Sequence, residues 1–205
     1  GYAHSLGLKS DGSIVAWGDN YRRGQCNIPS PNNDFVALTA GDMHSLGLKS
    51  DGSIVAWGDN NYDQCLVPSP NSNFVDIAAG GVHSLGLKSN GSIVAWGNNY
   101  FGKCDVPLPN SSFVTLAAGG EYSLGLKSDG SIVAWGDNSH GQCSVPSPNS
   151  GFVGLSAGWY HSLGLKADGS IVAWGDNTSG QCSVPSPNSG FVAIAAGYHH
   201  SLGLK

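Results

Sequence analysis

The chain has few charged residues and lacks the segments that mark several classes of protein. Only 11% of its 205 residues are charged, and 9 Lys plus Arg against 14 Asp plus Glu give a net charge of −5. The only adjacent basic pair is Arg22-Arg23, so no basic stripe is present to follow a phosphate backbone. Apolar runs end after a few residues, far short of the roughly 20 that a membrane-spanning helix needs. Neither a nucleic-acid partner nor membrane insertion is expected.

Helical periodicity is also absent, and a much longer period takes its place. The sequence Ser-Ile-Val-Ala-Trp-Gly recurs unaltered around Trp17, Trp57, Trp96, Trp135 and Trp174, every 39 to 40 residues. A fixed period of this length is typical of repeat folds. We divide the chain into one domain, 1–205, with repeats near 1–34, 35–73, 74–112, 113–151 and 152–190, followed by a partial copy at 191–205. Gly1 lies inside a repeat, which suggests a mature or excised segment.

Within one repeat the pattern predicts four short antiparallel strands. In the fourth copy these are strand A (113–118), strand B (123–127), strand C (131–136) and strand D (142–145), the last ended by Pro-x-Pro. Asp129-Gly130 predicts a two-residue hairpin turn between B and C. Parallel β-solenoids cannot use such hairpins. The pattern therefore predicts an all-β fold, a β-propeller built from four-stranded blades of about 39 residues.

Two motifs carry a resemblance to a known family. Gly-x-x-His-Ser, as at 41–45, and Trp-Gly-x-Asn-x-x-Gly-Gln, as at 135–142, resemble the repeat of the RCC1-like (regulator of chromosome condensation) propellers. The short repeat, with Val145-Pro146 after Gln-Cys, is most similar to the bacterial beta-lactamase inhibitory branch. The resemblance implies a seven-bladed ring. Residues 197–205 repeat residues 1–9, so in a closed five-bladed ring two copies of the same strand would compete for one position. We therefore expect an open arc of a larger ring, with a five-bladed ring as the alternative.

Repeated cysteine and histidine residues are interpreted as framework. The cysteines stand one per repeat, at Cys26, Cys65, Cys104, Cys143 and Cys182. Equivalent atoms in neighbouring sheets lie about 10 Å apart, too far for a disulfide. Histidine recurs in register, but Tyr122 replaces it in one copy, which favours hydrogen bonding over metal ligation. No carboxylate pair has a spacing that suggests acid-base chemistry. We expect no catalytic residue, metal or cofactor, and thus no enzyme.

Sequence variation is concentrated in the A–B and C–D loops. In an up-and-down sheet these loops emerge at one end, and the nearly invariant B–C turns emerge at the other. The variable loops also hold most of the tyrosines, a residue type that anchors interfaces. We expect the partner-binding residues to be Tyr2, Tyr21, Arg22, Arg23, Asp42, Tyr62, Tyr100, Phe101, Glu121, His140, Trp159, Tyr160, Tyr198 and His199.

The favoured function is a non-catalytic scaffold that docks a protein partner on this loop face. Three alternatives stay open: a secreted enzyme inhibitor of the same geometry, a self-associating structural protein that completes a ring, and a guanine-nucleotide exchange factor. The acidic balance disfavours the chromatin-binding side of the last. Composition leaves the compartment open, and we lean toward an extracellular or bacterial cell-surface location.

Overall fold

The computed structural model describes all residues, Gly1–Lys205, as a series of small antiparallel sheets. Each of the four complete central repeats forms one three-stranded sheet in which the middle strand of the sequence is also the middle strand of the sheet. The three-stranded sheets consist of β3 Phe35–Ala40, β4 His44–Lys49 and β5 Ile54–Gly58; β6 Phe74–Ala79, β7 His83–Lys88 and β8 Ile93–Gly97; β9 Phe113–Ala118, β10 Tyr122–Lys127 and β11 Ile132–Gly136; and β12 Phe152–Ala157, β13 His161–Lys166 and β14 Ile171–Gly175.

The two ends of the series hold incomplete sheets. At the N-terminal end β1 (His4–Leu8) pairs only with β2 (Ile14–Gly18), so strand A is missing. At the C-terminal end β15 (Ala193–Ala196) pairs only with β16 (Ser201–Leu204), so strand C is missing. No strand of the last sheet pairs with the first, and the protein is an open arc of propeller repeats.

Three of the four predicted strands form, and the fourth does not. The predicted strand D, 142–145 in the fourth repeat, lies in turns and irregular backbone outside the sheet. Its first residues are held locally: the Cys143 amide donates to Asn138 Oδ1 (2.8 Å), and the Cys143 thiol to the Asp137 carbonyl (3.1 Å). Because the Cys143 amide, which a ladder would need as a donor, is bonded inside the loop, the segment folds back on its own loop. The only helical element is one short 3₁₀ turn, Tyr100–Gly102.

The hairpin between strands B and C is longer than the expected two-residue turn. The last paired residues are Leu126 and Ile132, and only Gly130 in the turn has a positive φ, of 79°. Asp129 instead accepts hydrogen bonds at Oδ1 from both the amide (2.9 Å) and the hydroxyl (2.6 Å) of Ser131. The predicted two-residue turn, in which Asp129 and Gly130 would both need a positive φ, is therefore wrong, and the aspartate acts through its side chain instead.

Tryptophan side chains join successive repeats. Trp57, Trp96, Trp135 and Trp174 are each no more than 6% exposed. Each indole Nε1 donates to a backbone carbonyl of the preceding repeat, at 2.8 to 2.9 Å. At the second junction Trp96 packs with Leu46, Leu48, Ile54 and Phe74. The core is thus a row of equivalent clusters between neighbouring sheets, as in other repeat proteins.

Glycine in strand B makes room for a side chain. A Cβ at Gly47 would lie 2.5 Å from a ring carbon of Phe35, and the same holds at Gly86 with Phe74. The strand glycines therefore accommodate the phenylalanine of strand A. No helix of the protein has the length and hydropathy to span a membrane.

Candidate binding face

The A–B and C–D loops meet at one end of the sheets. His140 of a C–D loop lies 4.5 Å from Tyr160 of the next A–B loop, measured between ring centroids. At the opposite end the D–A loops meet the B–C turns. Phe74 is the first residue after a D–A loop, and its amide donates a hydrogen bond to the carbonyl of Gly52 in a B–C turn (3.0 Å). The loops in which the sequence varies thus share one face, which we call the variable face.

Six of the expected binding residues form one connected aromatic cluster on the variable face. Trp159 stacks on Tyr198 at 4.8 Å, with an interplanar angle of 19°. Tyr2 and Tyr160 meet Tyr198 edge to face, at 6.1 and 6.2 Å. His140 and His199 extend the cluster through Tyr160 and Tyr198 respectively. Tyr2 belongs to the first repeat and Tyr198 to the last, so the cluster bridges the two ends of the arc.

An axial cavity of about 360 Å³ opens beside this cluster. Small residues from every repeat line it, among them Gly41, Gly80 and Gly119, together with Tyr2 and Asp42. Burial, reinforced by the negative charge of Glu121, raises the pKa of the Asp42 carboxyl to about 6. The variable face therefore combines exposed aromatic rings with a half-buried carboxyl group.

The other expected residues stand apart from the cluster. Tyr100 and Phe101 form an exposed edge-to-face pair at 4.5 Å. Arg22 lies over the Tyr21 ring at 4.9 Å. Tyr62 is exposed by itself. Arg23 forms an ion pair with Asp59 of the next repeat, which ties it to the framework.

The third repeat contains a coordinated exchange of two residues that was not predicted from the sequence. In the fourth repeat Gln142 donates to Asp137 (2.8 Å), and the same Gln-to-Asp bond recurs in the first, second and fifth repeats. The third repeat has Lys103 and Asn98 at these positions. The fully buried Lys103 ammonium donates to Asn98 (2.7 Å) and forms an ion pair with Glu121. The signal in the sequence is Lys103, which stands where the other repeats have glutamine. Glu121 thus neutralises a buried charge in addition to lying on the variable face.

The repeated histidines link neighbouring repeats by hydrogen bonds. His44 Nε2 lies 3.0 Å from Ser84 Oγ, and that hydroxyl donates to the Gln64 carbonyl (2.8 Å). Since the serine proton is used, the imidazole Nε2 is the donor. Tyr122 performs the same task, because its hydroxyl donates to the His161 carbonyl and lies 2.9 Å from Ser162 Oγ. The predicted hydrogen-bonding role of these histidines is confirmed.

All five cysteines are free thiols of intermediate burial. Burial raises the pKa of Cys65 and Cys143 to about 12 and that of Cys104 to about 11. Such thiols are protonated and poorly nucleophilic at neutral pH. No three His, Cys, Asp or Glu side chains converge where they could hold a metal ion.

Comparison with known sequences identifies the repeat. A family model described as Regulator of chromosome condensation (RCC1) repeat matches residues 1–25, 35–64, 74–103, 113–142 and 152–181, which is more than half of the chain. A comparison with curated protein sequences gives no significant match.

Solved structures share the fold. Yeast RCC1 (Prp20) in a complex with Kap60 superposes with a TM-score of 0.82 at 22% identity, over 99% of this chain and 66% of that one. The receptor kinase CR4 ectodomain of Physcomitrella patens gives 0.79 at 26% identity, over 98% and 56%. Human WBSCR16 gives 0.77 at 18% identity, over 98% and 69%. The chain spans slightly less than two thirds of the yeast protein. On the strength of its repeats, the chain belongs to the regulator of chromosome condensation (RCC1) repeat family.

Proposed function

We propose that the protein is a non-catalytic scaffold that docks a protein partner on the variable face. The observation that carries this proposal is the aromatic cluster of Tyr2, Trp159, Tyr160 and Tyr198. Tyr2 is 69% exposed and Tyr198 37% exposed although both contact other rings. Rigid, partly exposed tyrosine and tryptophan side chains are the usual anchors of protein interfaces.

The packing of the cluster supports a preorganised anchor. A Cβ at Gly120 would lie 2.8 Å from the Trp159 ring, so this ring rests directly on backbone. Tyr198 covers the tryptophan by stacking. Because the rings are already held in place, binding would cost little side-chain entropy.

Relatives support the class of partner. The yeast RCC1 structures are described as bound to Kap60 and in terms of binding to Gsp1p and histones, all of them proteins. For the present chain a partner with exposed basic residues fits best. The present chain has a net charge of −5, and its Asp42 lines the axial cavity next to the cluster. Complementary charge at an interface favours specificity and the rate of association.

The proposal is tested by comparing captured proteins between matched variants. One variant, Trp159→Ala with Tyr198→Ala, removes the stack on the variable face. The control, Leu108→Ser, removes a 91% exposed side chain in a D–A loop, at the opposite end, and restores the serine found there in the other repeats. Wild type and both variants are immobilised, and proteins retained from an extract of the source organism are quantified by mass spectrometry.

We expect at least one protein to be retained by wild type and by Leu108→Ser and reduced more than tenfold by the double variant. Thermal melting of each variant confirms that the fold is intact. Retention that is the same for all three proteins would refute the variable face as the docking surface. Retention lost only in Leu108→Ser would assign binding to the opposite end.

A further inference from the structure

The residue that follows the repeated glycine of each A–B loop borders the axial cavity. In chain order these residues are Tyr2, Asp42, Gly81, Gly120, Trp159 and Tyr198. Two glycines therefore lie side by side between a carboxylate and an aromatic ring. The four residues from Asp42 to Trp159 belong to the complete internal repeats, the second to the fifth. The side chains around the cavity thus leave a gap between Asp42 and Trp159.

Backbone forms the floor of this gap. A Cβ at Gly81 would lie 2.7 Å from the Gly120 carbonyl oxygen, so a side chain at this position would require the backbone to shift. The Gly81 amide donates to the carbonyls of both Gly119 and Gly120, at 3.2 Å each, which ties the third repeat to the fourth. A group from outside the protein can approach such a glycine floor closely.

Asp42 and Trp159 lie above this floor at its two ends. The Asp42 Oδ2 atom is 3.5 Å from the position that a Cβ of Gly81 would take. The Trp159 ring lies over Gly120, and Tyr198 stacks on that ring. The gap therefore has one acidic wall and one aromatic wall. The axial cavity, of about 360 Å³, is within the size range of pockets that hold small ligands, about 300 to 1,000 Å³.

The Asp42 carboxyl group forms no ion pair within the protein. Neither of the two ion pairs that the chain contains includes it. Glu121, whose negative charge acts on Asp42, is itself paired with Lys103. The amino group of Gly1 acts on Asp42 through space without forming an ion pair. A cation from outside would therefore offset the cost of holding this carboxylate half-buried.

We infer that the axial cavity receives the guanidinium group of an arginine side chain from the protein partner. This inference rests on the proposed docking function and specifies one contact within it. The cavity opens beside the aromatic cluster, so a side chain near the centre of a docked surface reaches it. A guanidinium group pairs with a carboxylate through two parallel hydrogen bonds, and its planar face packs on aromatic rings. Arginine thus matches both walls of the gap, whereas lysine matches only the acidic wall.

The test uses N-acetyl-arginine amide, which presents the side chain as it occurs within a polypeptide. Its binding to the 205-residue protein is followed in proton–nitrogen correlation NMR spectra. We expect saturable shifts of the Gly81 and Gly120 amide signals at millimolar probe. N-acetyl-citrulline amide, in which a neutral urea replaces the guanidinium group, should bind more than tenfold more weakly.

Two matched variants locate the site. Asp42→Asn removes the charge with little change of shape and should weaken binding of the arginine probe more than tenfold. Asp63→Asn makes the same change on an exposed C–D loop of the same repeat and should leave binding unchanged. The fold is expected to survive both changes. Asp42 forms no ion pair, and asparagine tolerates the positive φ of Asp63, 62°. Near-ultraviolet circular dichroism checks this.

Four results would overturn the inference. The first is a titration in which the Gly81 and Gly120 signals show no saturable shift. The second is equal binding of the arginine and citrulline probes. The third is an equal loss of binding in both variants, which would show a general effect of charge. The fourth is free arginine binding more than tenfold more tightly than the capped form, because the ligand would then be the amino acid.

The probe is measured without a partner, so its failure is distinguishable from failure of the docking function. The comparison of captured proteins tests the variable face with substitutions at Trp159 and Tyr198. A partner captured through these two residues, together with no binding of the arginine probe, would leave the docking function standing and refute the arginine contact.

Discussion

Buried histidines make the stability of the protein depend on pH. Burial lowers the pKa of His44 to about 4 and that of His83 to about 3, with nearby positive charge as a further cause. An unfolded histidine titrates near 6.5. Between these values the unfolded chain binds more protons, so the contribution to stability is complete above pH 6.5 and is lost as the pH falls. Asp42 has the opposite effect on stability. Its pKa is raised to about 6 in the folded protein, so as the pH falls below this value the folded protein binds the proton before the unfolded chain does, which stabilises the fold.

His83→Tyr should therefore reduce the acid sensitivity of the protein. Tyr122 shows that a phenol fits the equivalent position and keeps the hydrogen bond to the next repeat. In an Asp42→Asn background, the free energy of unfolding of the His83→Tyr variant should rise relative to that of its parent as the pH falls, by about 3 kcal/mol at pH 4.5. Urea unfolding at pH 7.5, 5.5 and 4.5 measures the difference. Parallel pH curves for the two proteins would contradict the proposed cause.

Glu121 should be needed for stability in the third repeat because it neutralises buried Lys103. Glu121→Gln leaves that ammonium with Asn98 and the Tyr100 carbonyl as hydrogen-bond acceptors. We expect a loss of about 1 to 3 kcal/mol in the free energy of unfolding, since Glu121 is partly exposed. The control adds Asn98→Asp and Lys103→Gln, which restores the pair used by the other repeats, and should recover most of the loss. Urea unfolding that shows no recovery would refute the exchange.

Each junction between neighbouring sheets depends on one tryptophan. Trp57 is 5% exposed and bonded to the Gln25 carbonyl, whereas Trp17 in the same motif is 57% exposed. Trp57→Ala should thus cost about 3 to 5 kcal/mol, as for other buried aromatic residues. Trp17→Ala should cost less than about 1 kcal/mol. The pair is compared by urea unfolding. Equal losses would show that Trp17 is buried in solution.

The sequence predicts the elements well where one repeat is sufficient to specify them. Strands A, B and C follow from β-branched and aromatic runs bounded by turns, and all three form. Strand D fails because Cys143 and Asn138 bond locally, which a pattern of residue types does not reveal. The variable face follows from strand order, but the contact between Tyr2 and Tyr198 does not. It depends on the curvature of the whole arc, which brings the first and last repeats together.

As a whole, the molecule is a row of equivalent junctions with open ends, and its other properties depend on this arrangement. Trp17 lies in the first sheet of the arc and is 57% exposed. The curvature of the arc gathers loops from every repeat around the axial cavity. A closed five-bladed ring would bury Trp17.

Acrylamide quenching of tryptophan fluorescence tests the open arc most directly. In a Trp159→Phe background, the remaining tryptophans are Trp17 and four buried ones. We predict one readily quenched, red-shifted component that disappears when Trp17→Phe is added. Emission that is uniformly protected from quenching, and unchanged in its accessible fraction by Trp17→Phe, would show a closed ring and contradict the account.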